Sequence, residues 1–206
     1  MKKPFSLERF FVILFTGDCI MKYENINKDN VIIEQSEDKK YSKNELFDHF
    51  KSFISNCGYC VLEDYDFKTS PYVVNIQKDD KEYKLIMYYK NITGAGWKDK
   101  PNVKRVQVTN VRKDDITKYV STSNEETFII LGYYNFDNNP IMVAWNAYHY
   151  VYHDTTRSCY VDIDTLLEGY KKGYVNTVYA KQDIWVFTAD YFDRFLQDYI
   201  KNNKVG

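Results

Sequence analysis

The sequence predicts an α+β fold: a mainly antiparallel, curved, barrel-like sheet with flanking helices. Three observations carry that prediction. Segments with strand character crowd the middle of the 206-residue chain, and two pairs of them are joined by short polar turns. Segments with helical periodicity lie toward its two ends. Regular strand–helix alternation, which a doubly wound sheet requires, is missing.

Residues 1–21 are set aside as an N-terminal extension or helix, and residues 22–206 are assigned to a single α+β domain. "FFVILF" at 10–15 is far shorter than the roughly 20 residues that cross a bilayer. With Glu8 and Arg9 before it and Asp18 after it, it also makes a poor signal peptide. "VIIEQ" at 31–35 is a short strand candidate. Ser42-Lys43-Asn44-Glu45 has the form of a capping box, and Leu46, Phe47, Phe50, Phe53 and Ile54 recur behind it at helical spacing, so a helix should run to the neighbourhood of Gly58.

Strands are expected at "YCVLEDY" (59–65), "YVVNIQ" (72–77) and "EYKLIMYY" (82–89), with Lys78-Asp79-Asp80-Lys81 turning the last two into a hairpin. "ETFIILGYY" (126–134) and "PIMVAWNAY" (140–148) should form a second hairpin around residues 135–139. "SCYVDI" follows, then a helix from about Asp164 to Lys172 stopped by Gly173, then "DIWVF". Thr188 should cap a final helix carrying Phe192, Phe195, Leu196, Tyr199 and Ile200 on one face.

Composition narrows the function. With 28% charged and 44% hydrophobic residues, the chain belongs among folded proteins and not disordered ones. Its net charge of −1 supplies no global basic field for nucleic acid, so any such binding has to rest on a local patch. Tyr and Phe number 20 and 13, a richness that suits contact surfaces but also follows from the codon usage of an AT-rich genome. Cys19, Cys57, Cys60 and Cys159 fit reduced thiols in the cytoplasm better than a disulfide scaffold.

Most chemical motifs fail on inspection. Cys57-Gly58-Tyr59-Cys60 closes a helix where a redox pair would open one, and no second pair stands at zinc-site spacing. Gly94 and Gly96 lack the third glycine of a dinucleotide loop and the Gly-Lys-Ser/Thr of a phosphate loop. His149 and His153 are four apart without the glutamate of a metalloprotease helix. The strongest enzymatic alternative is Asp66 with Glu82 and Lys84: an acid on one strand and an E-x-K on the next can hold Mg²⁺ and activate water, as in restriction nucleases. Against it, Glu82 and Lys84 adjoin the solvated hairpin tip. No cofactor is called for unless that alternative holds.

The basic and amide residues after position 96 carry more. Trp97, Lys98, Lys100, Lys104, Arg105, Gln107, Asn110, Arg112 and Lys113 bring phosphate-binding charges, amides able to read base edges and one ring for stacking. Strand alternation puts Val103, Arg105, Gln107 and Thr109 on one face, and Lys104, Val106 and Val108 on the other. If the two valines face the core, Arg105 and Gln107 face outward together. A solvated strand with ordinary charges is the competing reading.

A glycine-containing turn leading to "KRVQVTN", then "FIILGYYNFDNNPIMVAWN", Arg157-Ser158 entering a strand, a short glycine-closed helix and "DIWVFTADYFDRFL" form a familiar succession. It resembles poorly characterised domains of bacterial restriction-modification and anti-phage proteins, typically carried beside a nuclease or methyltransferase, over about residues 70–200. The resemblance implies a cytoplasmic DNA-recognition or modification-sensing domain whose partners are DNA and a nuclease or methyltransferase subunit, with no membrane. Arg105, Gln107 and Arg157 match the pattern's polar positions, and Gly94 and Gly96 its turn. Trp97 and Lys98-Asp99-Lys100-Pro101 depart from the glycine- and arginine-richer run of the pattern. A protein-interaction subunit with an aromatic surface is the remaining alternative.

Overall fold

The computed structural model describes residues 23–26, 32–35, 38–62, 65–109, 126–136, 139–150 and 157–202. Twelve strands are present among them: β1 (Tyr23–Ile26), β2 (Ile32–Gln35), β3 (Cys60–Val61), β4 (Tyr72–Lys78), β5 (Lys81–Asn91), β6 (Thr93–Gly94), β7 (Val103–Val108), β8 (Glu126–Phe136), β9 (Asn139–Asn146), β10 (Arg157–Asp162), β11 (Tyr174–Tyr179) and β12 (Gln182–Phe187). The helices are α1 (Lys43–Asn56), α2 (Ile163–Lys172) and α3 (Phe192–Asn202), with short 3₁₀ turns at Ala147–Tyr150 and Ala189–Tyr191.

Seven strands form the main sheet in the order β11-β12-β9-β8-β5-β4-β3. Every neighbouring pair in it is antiparallel except β5 and β8, which run parallel from Lys84↔Glu126 to Asn91↔Tyr133. A parallel neighbour cannot be reached by a tight turn. Here the chain leaves the sheet after β5 and builds β6 and β7 in a second sheet, of order β10-β7-β6, before β8. The two expected hairpins are β4–β5 and β8–β9, the first turning through Asp79 with φ 53°.

The central strands are apolar on both faces because both faces are covered. On one side Leu85, Met87, Tyr89, Ile129, Leu131, Met142, Ala144, Trp185 and Phe187 meet Leu46, Phe50, Phe53 and Ile54 of α1 and Phe192, Phe195, Leu196 and Tyr199 of α3. On the other, Ile86, Tyr88, Phe128, Ile130, Val143, Trp145, Ile184 and Val186 meet Val106 and Val108 of β7, Cys159 and Val161 of β10, and Ile163 and Leu166 of α2. The result is three layers: two helices, the main sheet, and a small sheet with one helix. The main sheet stays open at β3 and β11, so the expected barrel-like closure does not occur. Covering by separate layers does the burial that closure would have done.

Local signals account for the helix ends. The Ser42 hydroxyl accepts from Glu45 N at 3.3 Å, and the Glu45 carboxylate accepts from Ser42 N at 2.7 Å. Asp162 caps α2 by accepting from Thr165 N at 2.7 Å, and Gly173 ends it with φ 78°. Thr188 departs from expectation: its hydroxyl donates to the Gly173 carbonyl at 3.3 Å and does not cap, and a 3₁₀ turn intervenes before α3. "YCVLEDY" yields only the two-residue β3 and an isolated bridge between Asp66 and Val73. The hairpin partner β11 was absent from the sequence expectations; Ala180 and Lys181, both with positive φ, turn it into β12. Residues 1–21, where the extension or helix is expected, lie outside the described residues.

Candidate functional site

The small sheet decides which predicted residues share a surface. Residues opposite one another across antiparallel strands project to the same face. Arg105 of β7 stands opposite Tyr160 of β10 and Thr93 of β6, and Gln107 stands opposite Ser158. Val106 and Val108, with Cys159 and Val161, turn the other way and are fully buried. Arg105 is therefore half-buried and Gln107 exposed on an outward face, with Thr93, Ser158 and Tyr160 beside them.

Trp97 borders this face. Its ring lies 4.9 Å from that of Tyr160 at 33°, remains 39% exposed, and has the Lys100 ammonium 5.6 Å from its centroid. The turn itself is tied by Lys100 N donating to Trp97 O at 3.2 Å and Val103 N to Lys100 O at 3.2 Å. Lys98 and Lys100 are exposed on it. The small sheet is anchored to the main one by the Trp145 indole N–H, which donates to the Tyr160 carbonyl at 3.2 Å. Ile163 N donates to Asn102 O at 3.0 Å and holds the start of α2 to the turn before β7.

Two members of the predicted set stand elsewhere. Lys104 is wholly buried: its ammonium donates to the Asp38 carboxylate at 2.6 Å, and that carboxylate also accepts from Gly94 N at 2.5 Å. Burial pushes the Lys104 pKa down, opposed by Asp38 and Glu24. This lysine is engaged by Asp38 and has no exposed atom to offer a phosphate, which corrects its place in the basic set. Arg157 is exposed but sits opposite Val108 at the start of β10, in register with the inward-facing residues and not with Arg105. Asn110, Arg112 and Lys113 lie outside the described residues.

Asp66, Glu82 and Lys84 are not brought together. Asp66 bridges Val73, whose partner on β5 is Ile86, four residues beyond Glu82. At strand rise that separates Asp66 from Glu82 by roughly 13 Å along the sheet. The Asp66 carboxylate instead accepts from Lys68 N at 2.8 Å, and Lys84 pairs with Glu126 at 2.8 Å. No group of three or more His, Cys, Asp or Glu with metal-site geometry occurs among the described residues. Cys57 follows the end of α1, its thiol donating to Phe53 O at 3.0 Å, and burial pushes its pKa up to about 12, the reverse of an activated thiol. His149 is exposed on a 3₁₀ turn, and His153 lies outside the described residues.

The sequence reading took only Arg157 from β10 and passed over the residues that share the face of Arg105. Ser158, Tyr160 and Asp162 alternate with Cys159 and Val161, so their outward set was visible in principle. Their placement beside Arg105 depends on a pairing across about fifty residues, which alternation does not reveal. Asp38 likewise had no local signal.

Fold and surface together define a three-layer α+β module that presents a small sheet with a polar, aromatic outer face. A family model described as methylase-associated X1 (MTaX1) matches residues 83–196, more than half of the chain, and the chain belongs to that family. The matched interval starts in β5, includes the whole of the small sheet and ends in α3. The chain matches no curated protein and no solved structure. Membership links it to methylases and is compatible with a restriction-modification setting. No helix among the described residues is long and apolar enough to cross a membrane.

Proposed function

We propose that the chain is a DNA-recognition module of a bacterial restriction-modification or anti-phage defence system, acting in the cytoplasm beside a methyltransferase or nuclease subunit. The observation that carries this is the outward pairing of Arg105 and Gln107 on a strand whose other face is locked into the core. A guanidinium and an amide held on a rigid strand are the side chains that read guanine and adenine edges. Lys98 and Lys100, on the exposed turn at one end of that face, supply phosphate contacts. Trp97 adds a partly exposed ring beside them. Family membership supports the methylase association.

The test is binding of the full chain to a panel of duplexes of differing sequence and methylation, by fluorescence anisotropy over a range of salt. Arg105→Ala should weaken the preferred duplex by about 1–3 kcal/mol and flatten the preference. Lys100→Ala should weaken all duplexes alike and reduce the salt slope by about one. Equal small losses on every duplex for both variants would overturn these roles. No binding to any duplex at low salt would overturn the reading, and a stable complex with a protein partner in its place would favour the interaction-subunit alternative.

A further inference from the structure

Resting on the DNA-recognition reading, we infer that the β7–β10 ribbon reads the major groove of duplex DNA at a guanine and an adenine two base-pair steps apart, and that Gln107 makes this contact sensitive to methylation of the adenine N6.

Three features of the face lead there. Width is the first. β7 and β10 pair over their full six residues, whereas β6 covers only Thr93 and Gly94, so past Arg105 the sheet is a two-stranded ribbon. Two strands about 4.8 Å apart fit a groove about 12 Å wide. Spacing is the second. Arg105 and Gln107 are two residues apart on one strand, or about 6.8 Å. Stacked bases rise about 3.4 Å each, so the two side chains reach base pairs separated by one intervening pair. Chemistry is the third. A guanidinium donates twice to guanine O6 and N7, while a carboxamide donates to adenine N7 and accepts from adenine N6.

The methylation sensitivity follows from that last pairing. In a Watson–Crick pair one N6 hydrogen is used by thymine and the other points into the major groove beside N7. A single methyl on N6 must take the groove-side position if pairing is kept. It then removes the hydrogen that the Gln107 amide oxygen accepts and puts carbon in its place, leaving a polar group unpaired at the interface. Arg105, which reads guanine, is untouched by that change. The face thus separates unmodified from N6-methylated adenine at a single side chain.

The experiment has two stages, both with the full chain. Selection from a pool of randomised duplexes should enrich a motif in which a guanine and an adenine occupy base pairs two steps apart. That motif is then made with and without N6-methyladenine. Methylation should weaken binding about tenfold or more, the scale of one lost bidentate base contact. Gln107→Ala should bind both forms equally while keeping the guanine preference, and Arg105→Ala should lose that preference while keeping the methylation difference. Gln107 is exposed, so its substitution leaves the fold in place. An enriched motif without the pair, or equal or tighter binding of the methylated form, would overturn the inference and leave the recognition reading standing; retention without any enrichment would overturn both. No retained DNA at all would overturn the recognition reading itself.

Discussion

Lys104 and Arg105 are neighbours on β7 with the same formal charge, yet one is wholly buried and the other stands on the outer face. Strand alternation alone sets them on opposite sides, and the burial of Val106 and Val108 decides which side is inside. That alternation is legible in the sequence, but the pairing with Asp38, whose carboxylate 66 positions away makes burial of an ammonium tolerable, is not. Asp38 bonds both β6, through Gly94 N, and β7, through Lys104, so it clamps the two strands beneath the candidate surface. Lys104→Ala would leave that carboxylate buried with its charge uncompensated. A loss of about 3–5 kcal/mol in urea-unfolding stability is expected, far beyond the cost of truncating an exposed lysine. A loss below about 1 kcal/mol, the range of a surface pair, would show that Asp38 is not held as described.

At the scale of elements, the helices were the most readable. The Ser42–Glu45 capping box and the terminating Gly173 both act through neighbours a few residues away, so sequence spacing suffices to find them. Thr188 has the right type and place for a cap, but its hydroxyl donates to the Gly173 carbonyl and accepts no backbone N–H of the turn that follows. β11 escaped notice because its outward residues, Asn176 and Val178, carry no consistent polar alternation; Val178 is 65% exposed. One element contact makes a sharp prediction. α2 lies on β12 where a Cβ added at Gly169 would collide with the Val186 side chain. Gly169→Ala gains helix propensity of about 1 kcal/mol but forces α2 off the sheet, at a typical overpacking cost of about 1–3 kcal/mol. The net change in thermal unfolding should therefore be destabilising. Val186→Ala in the same chain should relieve the collision and recover part of the loss.

Over the whole molecule, Asp193 joins parts that are far apart in sequence. At the start of α3 it accepts from Tyr59 OH at 2.6 Å and from Lys78 at 2.6 Å, and Lys78 also donates to the Cys57 carbonyl at 3.1 Å. The end of α1, the end of β4 and the start of α3 meet there. Partial burial would raise the Asp193 pKa, but the bonds from Lys78 and Tyr59 outweigh it and hold the carboxyl below its ordinary value. A depressed carboxylate stabilises the fold fully above its unfolded pKa, near 4, and loses that contribution as pH falls through the lower folded value. The side chain is 46% exposed, so solvent screening limits the effect to about 1 kcal/mol or less. In melts from pH 6 to pH 2, Asp193→Asn should be less stable than the parent at pH 6, with the gap closing in acid. A gap that persists unchanged at pH 2 would mean that the carboxylate's charge plays no part.

The sequence by itself determined the α+β class, the helices with their stops, the two main hairpins and the placing of Arg105 and Gln107 on one face of a strand, because each depends on periodicity or on groups a few residues apart. Only the tertiary structure decided that β5 and β8 run parallel, that the sheet stays open between covering layers, that Lys104 is withdrawn into a buried pair, that Asp66 stands far from Glu82, and that Tyr160 and Ser158 complete the outer face. Those outcomes rest on pairings between distant strands. Such pairings are chosen by how apolar faces find cover across the whole chain, a choice that no local pattern encodes.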